Sequence, residues 1–567
     1  MVKPAGTWDF VPLRFFLLAI GLLVLGSCSP PEEHGFSHAV VVSADSSASE
    51  VGLAVLRSGG NAVDAAVAVG FALAVTYPEA GNLGGGGFML IRLADGSRSL
   101  IDFRETAPAA SFPSMFLDST GAVVPGLSRI GPLSAGVPGT VSGLLTALTR
   151  FGTKERAEVM DRPILLASRG FAVDERLAAS LADQESVMIR NHAAGAIFRP
   201  DGQVLKKGDL LIQEDLAATL TSIRDEGEAG FYRGKTAERI VSAVKTGGGI
   251  IAMEDLARYK AVKREPLSGS YRGYTVLTTP PPSAGGTTIL QMLNLLELFP
   301  ADSLSDVAFY HLIAAAAGPS FADRFESAGD PDAVQVPVEA MIAKTLALER
   351  KKAILPGRRS PVDRAIHDAV LPSGENETTH YCVIDGDGNV VSATVSLNDS
   401  YGSRTFVEGA GFFLNNVMDD FTVKQGNPNL YGLSGGEPNS IRPGRRMVSS
   451  MSPTIVLHDQ QVRLVLGGRG GSRIPTTIVQ VIARVLDGDL TLSEAMLLPR
   501  VHYQWRPDLL YYEPGWSEGR ILRELGSFGY QLAVLPSSPG RVQAIERRNG
   551  MYYGVSDSRE GGWTAGF

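Results

Sequence analysis

Cysteine is nearly missing: Cys28 and Cys382 are the two in 567 residues. Two thiols so far apart exclude a disulfide scaffold and a cysteine-ligated zinc site. A basic excess is missing too. Lys and Arg number 52 against 60 Asp and Glu, so the net charge of −8 leaves no electrostatic footprint for nucleic acid. No apolar run reaches the roughly 20 residues that span a bilayer. The run Gly84-Gly85-Gly86-Gly87 has neither Gly-x-Gly-x-x-Gly spacing nor a following Gly-Lys-Ser/Thr, so a nucleotide-binding fingerprint is absent. The acidic turn at residues 385–389 lacks EF-hand spacing. No metal or cofactor is expected. What is present is ordinary globular material, 44% hydrophobic and 20% charged, which excludes a disordered chain. The length implies about two to four domains.

The first thirty residues read as an address. Lys3 and Arg14 precede an apolar stretch at residues 15–25 that ends in Leu25-Gly26-Ser27-Cys28. That is a charged n-region, an h-region of signal-peptide length and a small-residue cleavage site. Leu-Gly-Ser-Cys is similar to a bacterial lipobox, with Cys28 as the lipidated residue and Ser29 favouring outer-membrane retention. The alternative is a plain export signal with an accidental cysteine. Residues 1–27 are thus read as a lipoprotein-type signal and 28–37 as a tether. The expected location is the periplasm or outer membrane, lipid-anchored without a spanning helix.

Beyond the tether, residues 38–104 alternate strand, helix and strand. Asn61 with Asp64 three residues on forms a capping box for a helix that is apolar nearly all round, hence buried. A hairpin turning at Asp95-Gly96 delivers Arg104-Glu105 at its end. Residues 140–350 read as mostly helical, with a stiff Pro280-Pro281-Pro282-Ser283 loop leading into one helix. Residues 351–377 read as an exposed connector. After Thr378 the texture changes to β-hairpins, the sharpest boundary in the chain.

Two hairpins carry the candidate chemistry. Strands at 379–384 and 390–397 flank the turn Asp385-Gly386-Asp387-Gly388-Asn389, and centring it on Asp387 places Thr378 opposite Ser396. The pair could equally be ordinary strand hydroxyls. Strands at 454–457 and 462–466, joined around Asp459-Gln460, place Ser450 opposite Arg469 and Ser449 opposite Gly470. The N–H groups of Gly470 and Gly471, just ahead of a helix, suit an oxyanion; a strand-to-helix turn needing positive φ is the plainer reading.

Together these segments resemble the γ-glutamyltranspeptidase (glutathione hydrolase) family. The resemblance is carried by Glu377-Thr378-Thr379-His380-Tyr381, Ser449-Ser450-Met451-Ser452-Pro453-Thr454 and Gly470-Gly471-Ser472-Arg473. It is extended by Asp102-Phe103-Arg104-Glu105-Thr106-Ala107-Pro108, the triple-proline loop, Asn415-Asn416 with Met418-Asp419-Asp420-Phe421, and the terminal Thr564-Ala565-Gly566-Phe567. It implies an α+β fold, a four-layer αββα N-terminal-nucleophile hydrolase built from two autoprocessed subunits, 38–377 and 378–567. It implies a cut between Glu377 and Thr378, which frees an α-amine on the nucleophile to act as its base. The implied reaction forms a γ-glutamyl-threonyl enzyme from glutathione and related compounds, then passes the acyl group to water or an amino acid.

By the same resemblance Thr378 is the nucleophile, Ser396 its hydroxyl partner, and Gly470 and Gly471 the oxyanion hole. Arg104, Ser449 and Ser450 hold the substrate α-carboxylate. Asn398 and Asp420 receive the α-amine, and Tyr431 is a lid over the glutamyl group. Val417 departs from the pattern: the family usually has Gln or Glu there to hold the ammonium, and valine offers no acceptor. Two alternatives follow, a glutaryl- or cephalosporin-type acylase and a non-catalytic lipoprotein of the same fold. His380 reads as a core residue rather than a base, Cys382 as a buried strand residue, and Asp323, Arg324 and Glu326 as an internal ion-pair network. The expected partners are a small γ-glutamyl substrate and the two subunits themselves.

Overall fold

The computed structural model describes residues 34–301, 304–360, 378–516, 518–535, 539–559 and 561–567. The signal, the tether up to residue 33 including Cys28, Glu377 and most of the connector lie outside the described residues. From Gly35 the chain runs through β1 (Gly35–Phe36) and β2 (Val40–Ser43), helices α1 (Ser46–Arg57) and α2 (Ala62–Thr76), and the hairpin β3 (Gly86–Arg92) and β4 (Arg98–Asp102). Helix α3 (Thr140–Phe151) follows. After further helices come β5 (Val262–Arg264), β6 (Leu267–Tyr271), β7 (Tyr274–Thr278), α4 (Gly285–Leu296) and α5 (Asp306–Ser327). The C-terminal third contributes β8 (Thr378–Ile384), β9 (Val390–Ser396), β10 (Thr454–His458), β11 (Gln461–Arg469) and α6 (Arg473–Asp487). It ends in β12 (Arg541–Arg548), β13 (Met551–Ser556) and β14 (Trp563–Gly566).

Two seven-stranded antiparallel sheets result, ordered β14-β2-β8-β9-β3-β4-β5 and β1-β13-β12-β11-β10-β7-β6. The period-two side-chain alternation of each strand sorts its residues into layers. Cys382, Ile384, Val42 and Leu90 meet Leu277, Ile455, Val465 and Ile545 in the space between the sheets. Tyr381, Val383, Val41 and Ile91 point the other way, onto α1, α2 and α3. Val456, Leu464, Leu466 and Val542 pack outward on α4, α5 and α6. The four layers are therefore helix, sheet, sheet, helix, as expected from the resemblance. Helix α2 is buried along its whole length, and its capping box is formed by Asn61 and Asp64. An all-round apolar helix can only be an inner layer.

The glycine run before β3 proves to be a packing feature. A Cβ on Gly84 would fall on the Phe413 carbonyl, and one on Gly87 on the Thr394 carbonyl. Bare backbone is what lets β3 lie against β9. Ladders β14–β2, β2–β8, β9–β3, β1–β13 and β10–β7 each join residues from the two sides of Thr378. A cut there leaves both sheets hydrogen-bonded.

Three expectations need correction. The tether reading extends to residue 37, yet Gly35 and Phe36 pair with Tyr553 and Tyr552 at a sheet edge. The stretch 140–350 is mostly helical but also contains β5, β6 and β7, which the sequence reading did not separate; they are short, β5 and β6 lie at sheet edges and are partly exposed, and so show little period-two alternation. The second hairpin keeps its turn at Asp459-Gln460 but carries a bulge between Val456 and Leu457. Thr454 therefore faces Leu466, one residue off the expected register. The ladder also stops at Thr454, so neither serine is paired across to Arg469 or Gly470.

Candidate active site

Strand β8 begins at Thr378, and its register with β9 sets Thr378 directly opposite Ser396, as the turn geometry requires. The two hydroxyl oxygens are 2.9 Å apart and buried. Ser396 Oγ accepts the Asn398 N–H at 2.8 Å, which orients its hydroxyl beside the Thr378 oxygen. Asn398 holds a left-handed φ of 83° at the end of β9 and turns its side chain towards the same space.

Gly470 and Gly471 occupy the junction between β11 and α6, with φ of 128° and 58°. The turn demands glycine at both positions, and Gly471 lines the same cavity as Thr378. Gly471 lies flat under the ring of Tyr431, so close that a Cβ would enter the ring. The Tyr431 hydroxyl donates to Asn398, with Oδ1 at 2.7 Å and the backbone oxygen at 2.6 Å. Its loop is shaped by Asn429, whose side chain accepts the N–H groups of Tyr431 and Leu433. Asp419 accepts the Leu430 N–H at 2.7 Å and anchors the loop base.

Ser449 and Ser450 reach the site by another route than the one expected. Ser449 forms a bridge with Ser283: its N–H donates to the Pro282 carbonyl and its own carbonyl accepts from Ala284. The proline loop is thus the bracket that sets the serine pair. Arg104, 1% exposed, comes from the end of β4. Its nitrogens are committed, Nη2 to Asp420 at 2.5 Å, Nη1 to Glu105 at 3.2 Å and Nε to the Met447 carbonyl at 3.3 Å.

Thr378, Ser396, Asn398, Asp420, Tyr431, Ser449, Ser450, Gly471 and Arg104 line one cavity of about 20 Å³, room for a single water. Nine expected residues, scattered over more than 360 positions of chain, converge there. Gly470 abuts it through Gly471. Val417 does not line it: the side chain is fully buried with Phe116, Met418 and Phe421. Arg324 does line it, contrary to the reading of an ion-pair network. Asp323 alone takes the structural role, with Arg350 at 2.8 Å. The two are neighbours on α5, and about 100° of helical rotation sends them to different places. A basic residue next to an acidic one, on a helix otherwise apolar, was the signal.

His380 is confirmed as a core group. It lies between the sheets with Nδ1 2.8 Å from Thr394 Oγ1, and burial pulls its pKa down to about 3, so it is neutral. Burial pushes the Cys382 thiol well up, which keeps it unreactive. Two carboxylates share the Arg104 guanidinium. Burial raises both, against the pull of Arg104, and carries Glu105 to about 7. The folded chain thus holds a proton on Glu105 that the unfolded chain has released, so this group's contribution to stability falls as pH rises from about 4.5 to about 7. Glu105→Gln is expected to lose less Tm than wild type between pH 5 and pH 8, measured by circular dichroism melts. Parallel curves would assign the slope to other carboxylates.

A threonine hydroxyl at the head of a central strand, between two sheets flanked by helices, defines the N-terminal-nucleophile hydrolase class. Comparison with known proteins narrows this. The γ-glutamyltranspeptidase family model matches residues 48–567. A glutathione hydrolase proenzyme of Escherichia coli K12 is 43% identical over 563 residues, covering 96% of this chain and 97% of the relative. Among solved structures, a γ-glutamyltranspeptidase of Helicobacter pylori is 42% identical with a TM-score of 0.55, covering 57% of this chain and 95% of that one. A cephalosporin acylase of Bacillus halodurans is 25% identical with a TM-score of 0.84, covering 96% and 98%. The chain belongs to the γ-glutamyltranspeptidase family.

Proposed function

We propose that this enzyme is made as a precursor cut between Glu377 and Thr378, and that Thr378 then transfers γ-glutamyl groups. The observation that carries this is the Thr378–Ser396 hydroxyl pair, 2.9 Å apart, in one cavity with Gly471, Arg104, Ser449 and Ser450. The freed α-amine of Thr378, with an ordinary pKa of about 7.7–8.0, takes the hydroxyl proton as the oxygen attacks the γ-carbonyl. The oxyanion that forms is received by the N–H groups at Gly470 and Gly471. The leaving amine departs with that proton, and water or an amino acid then takes the acyl group from the threonine ester. Ser396 orients the nucleophile. Ser449, Ser450 and Arg104 receive the α-carboxylate, while Asn398 and Asp420 receive the ammonium. A cavity with room for one water admits a γ-glutamyl group only when Tyr431 swings away from Asn398, which makes Tyr431 a lid.

The glutaryl-acylase reading rests on Val417 and on the acylase among the structural relatives. The position of Val417 weakens it, because a side chain behind the wall does not remove an acceptor from the cavity. Asn398 Oδ1 and Asp420 remain as acceptors within it. Hydrolysis of γ-glutamyl-p-nitroanilide is expected to exceed that of glutaryl-p-nitroanilide, its analogue without the α-amine, by at least about 10-fold, the worth of one charge-assisted hydrogen bond. Faster turnover of the glutaryl compound would transfer the enzyme to the acylase class. Export with Cys28 lipidated, in the periplasm or on the outer membrane, completes the proposal; it is supported by the n-region, h-region and Leu-Gly-Ser-Cys pattern.

A further inference from the structure

Gln504 lies behind Tyr431, outside the Thr378 cavity, and is buried. Its Nε2 donates to the Tyr431 carbonyl and to the Arg506 carbonyl, each at 3.1 Å. Both partners are acceptors only, so the amide must turn its NH2 towards them and its oxygen away. That oxygen meets His502 Nε2 at 2.8 Å, and an amide oxygen only accepts, so Nε2 carries the proton. Burial pulls the His502 pKa down to about 3, so the ring is neutral and has a single N–H to give. Its Nδ1 is then an acceptor. The Thr476 hydroxyl, 2.9 Å away, supplies the donor, shared with the Arg473 carbonyl at 3.0 Å. The direction of each bond is thereby fixed: Thr476 to His502, His502 to Gln504, Gln504 to Tyr431. The far end is firm. Thr476 lies in the first turn of α6, directly after Gly470 and Gly471, and Gln480 of the same helix holds both backbone groups of Val501, at 2.9 and 3.0 Å. Tyr431 is thus gripped on both sides of its Cα, its N–H by Asn429 at 3.0 Å and its carbonyl by Gln504.

We propose that Gln504 is a positioning residue that latches the lid, tying the Tyr431 backbone through His502 and Thr476 to the helix that follows the oxyanion glycines. This rests on the lid role proposed above and deepens it. The Tyr431 ring reaches Asn398 and covers Gly471 only from a backbone held at this height. Without the latch the closed lid is less populated, and the apparent affinity for substrate falls by the same fraction. The chemistry at Thr378 starts from the closed state, so turnover of the saturated enzyme changes little.

The test uses the full processed enzyme with γ-glutamyl-p-nitroanilide. Gln504→Met keeps the length of the side chain and removes its amide. It is expected to raise KM about 5- to 20-fold, the worth of leaving a buried carbonyl unpaired, with kcat within about threefold of wild type. His502→Leu should act in the same direction, and His502→Gln, whose amide N–H can stand where Nε2–H stands, should recover most of the KM. In a Tyr431→Ala background, Gln504→Met should change KM by less than about twofold, because there is no ring left to latch. An unchanged KM for Gln504→Met would overturn the assignment. So would a loss in kcat equal to the change in KM, or the same KM effect with and without the Tyr431 ring, since either is what a general loosening of the fold produces. Should Gln504→Met not yield processed enzyme, Gln504→Asn decides, its amide falling one methylene short: a raised KM with kcat kept supports the latch, and wild-type KM ends it. Wild type that prefers glutaryl-p-nitroanilide defeats the γ-glutamyl reading, and the same KM ratios taken on that compound still test Gln504.

Discussion

Thr378→Ala should run as one full-length band on a denaturing gel where wild type runs as two, and its acyl transfer should fall by about 10⁴-fold or more. In the proposed mechanism the hydroxyl is used twice, first to open the bond before it and then to attack substrate, so one deletion removes both activities. Folding is not the cause. The substitution deletes a side chain's hydroxyl and a methyl at the end of β8 and gives up one hydrogen bond to Ser396, worth about 1 kcal/mol. The melt should move by only a few degrees. Thr378→Ser keeps the hydroxyl and the liberated amine, and should give two bands and measurable turnover. Two bands from Thr378→Ala would mean that another group or another protein makes the cut. An N-terminal sequence of the smaller band starting at Thr379 would do the same damage to the mechanism.

Gly471→Ala should be the next most damaging single change, lowering kcat/KM of the processed enzyme by about 10²-fold or more. Two costs combine. Alanine at a φ of 58° pays the left-handed penalty, about 1–2 kcal/mol. Its Cβ would also occupy the space of the Tyr431 ring, pushing the ring away from Asn398 and shifting the N–H proposed to face the oxyanion. A 1 Å displacement of a donor is enough to cost two orders of magnitude. Pairing the change with Tyr431→Ala separates the two. If the ring clash dominates, the double variant should be no worse than Tyr431→Ala alone, a strong departure from additivity. Activity within about threefold of wild type for Gly471→Ala would mean that neither the turn nor the ring contact positions the oxyanion donors.

The charge arrangement links these effects to pH. Arg104, Asp420 and Glu105 form one buried unit in which a single guanidinium serves two carboxylates, both raised by burial, Glu105 to about 7. Removing Arg104 would strip both carboxylates of their counterion, so a large loss in that variant would mix folding with binding.

Much of this protein is decided by neighbours along the chain. The turn at residues 385–389 and the period of its two strands set Thr378 against Ser396 before any other contact is considered, because a hairpin register depends only on loop length and alternation. Asn61, Asp64 and the uninterrupted apolar surface after them dictate a capped inner helix for the same local reason. The ordered motifs also state the family and, with it, the four layers. Only the tertiary structure decides what lies across a gap. The bulge at Val456 depends on how β10 and β11 sit between two other strands, and it displaces a register that turn geometry alone would set. Ser449 is placed by a proline loop more than 160 residues away, and Val417 is turned behind the wall by its own apolar neighbours. Asp323 and Arg324 read as one polar pair in sequence, yet helical rotation and the packing of α5 send one to Arg350 and the other to the nucleophile's cavity. Periodicity tells which residues face a core; which group waits on the other side is a property of the assembled layers.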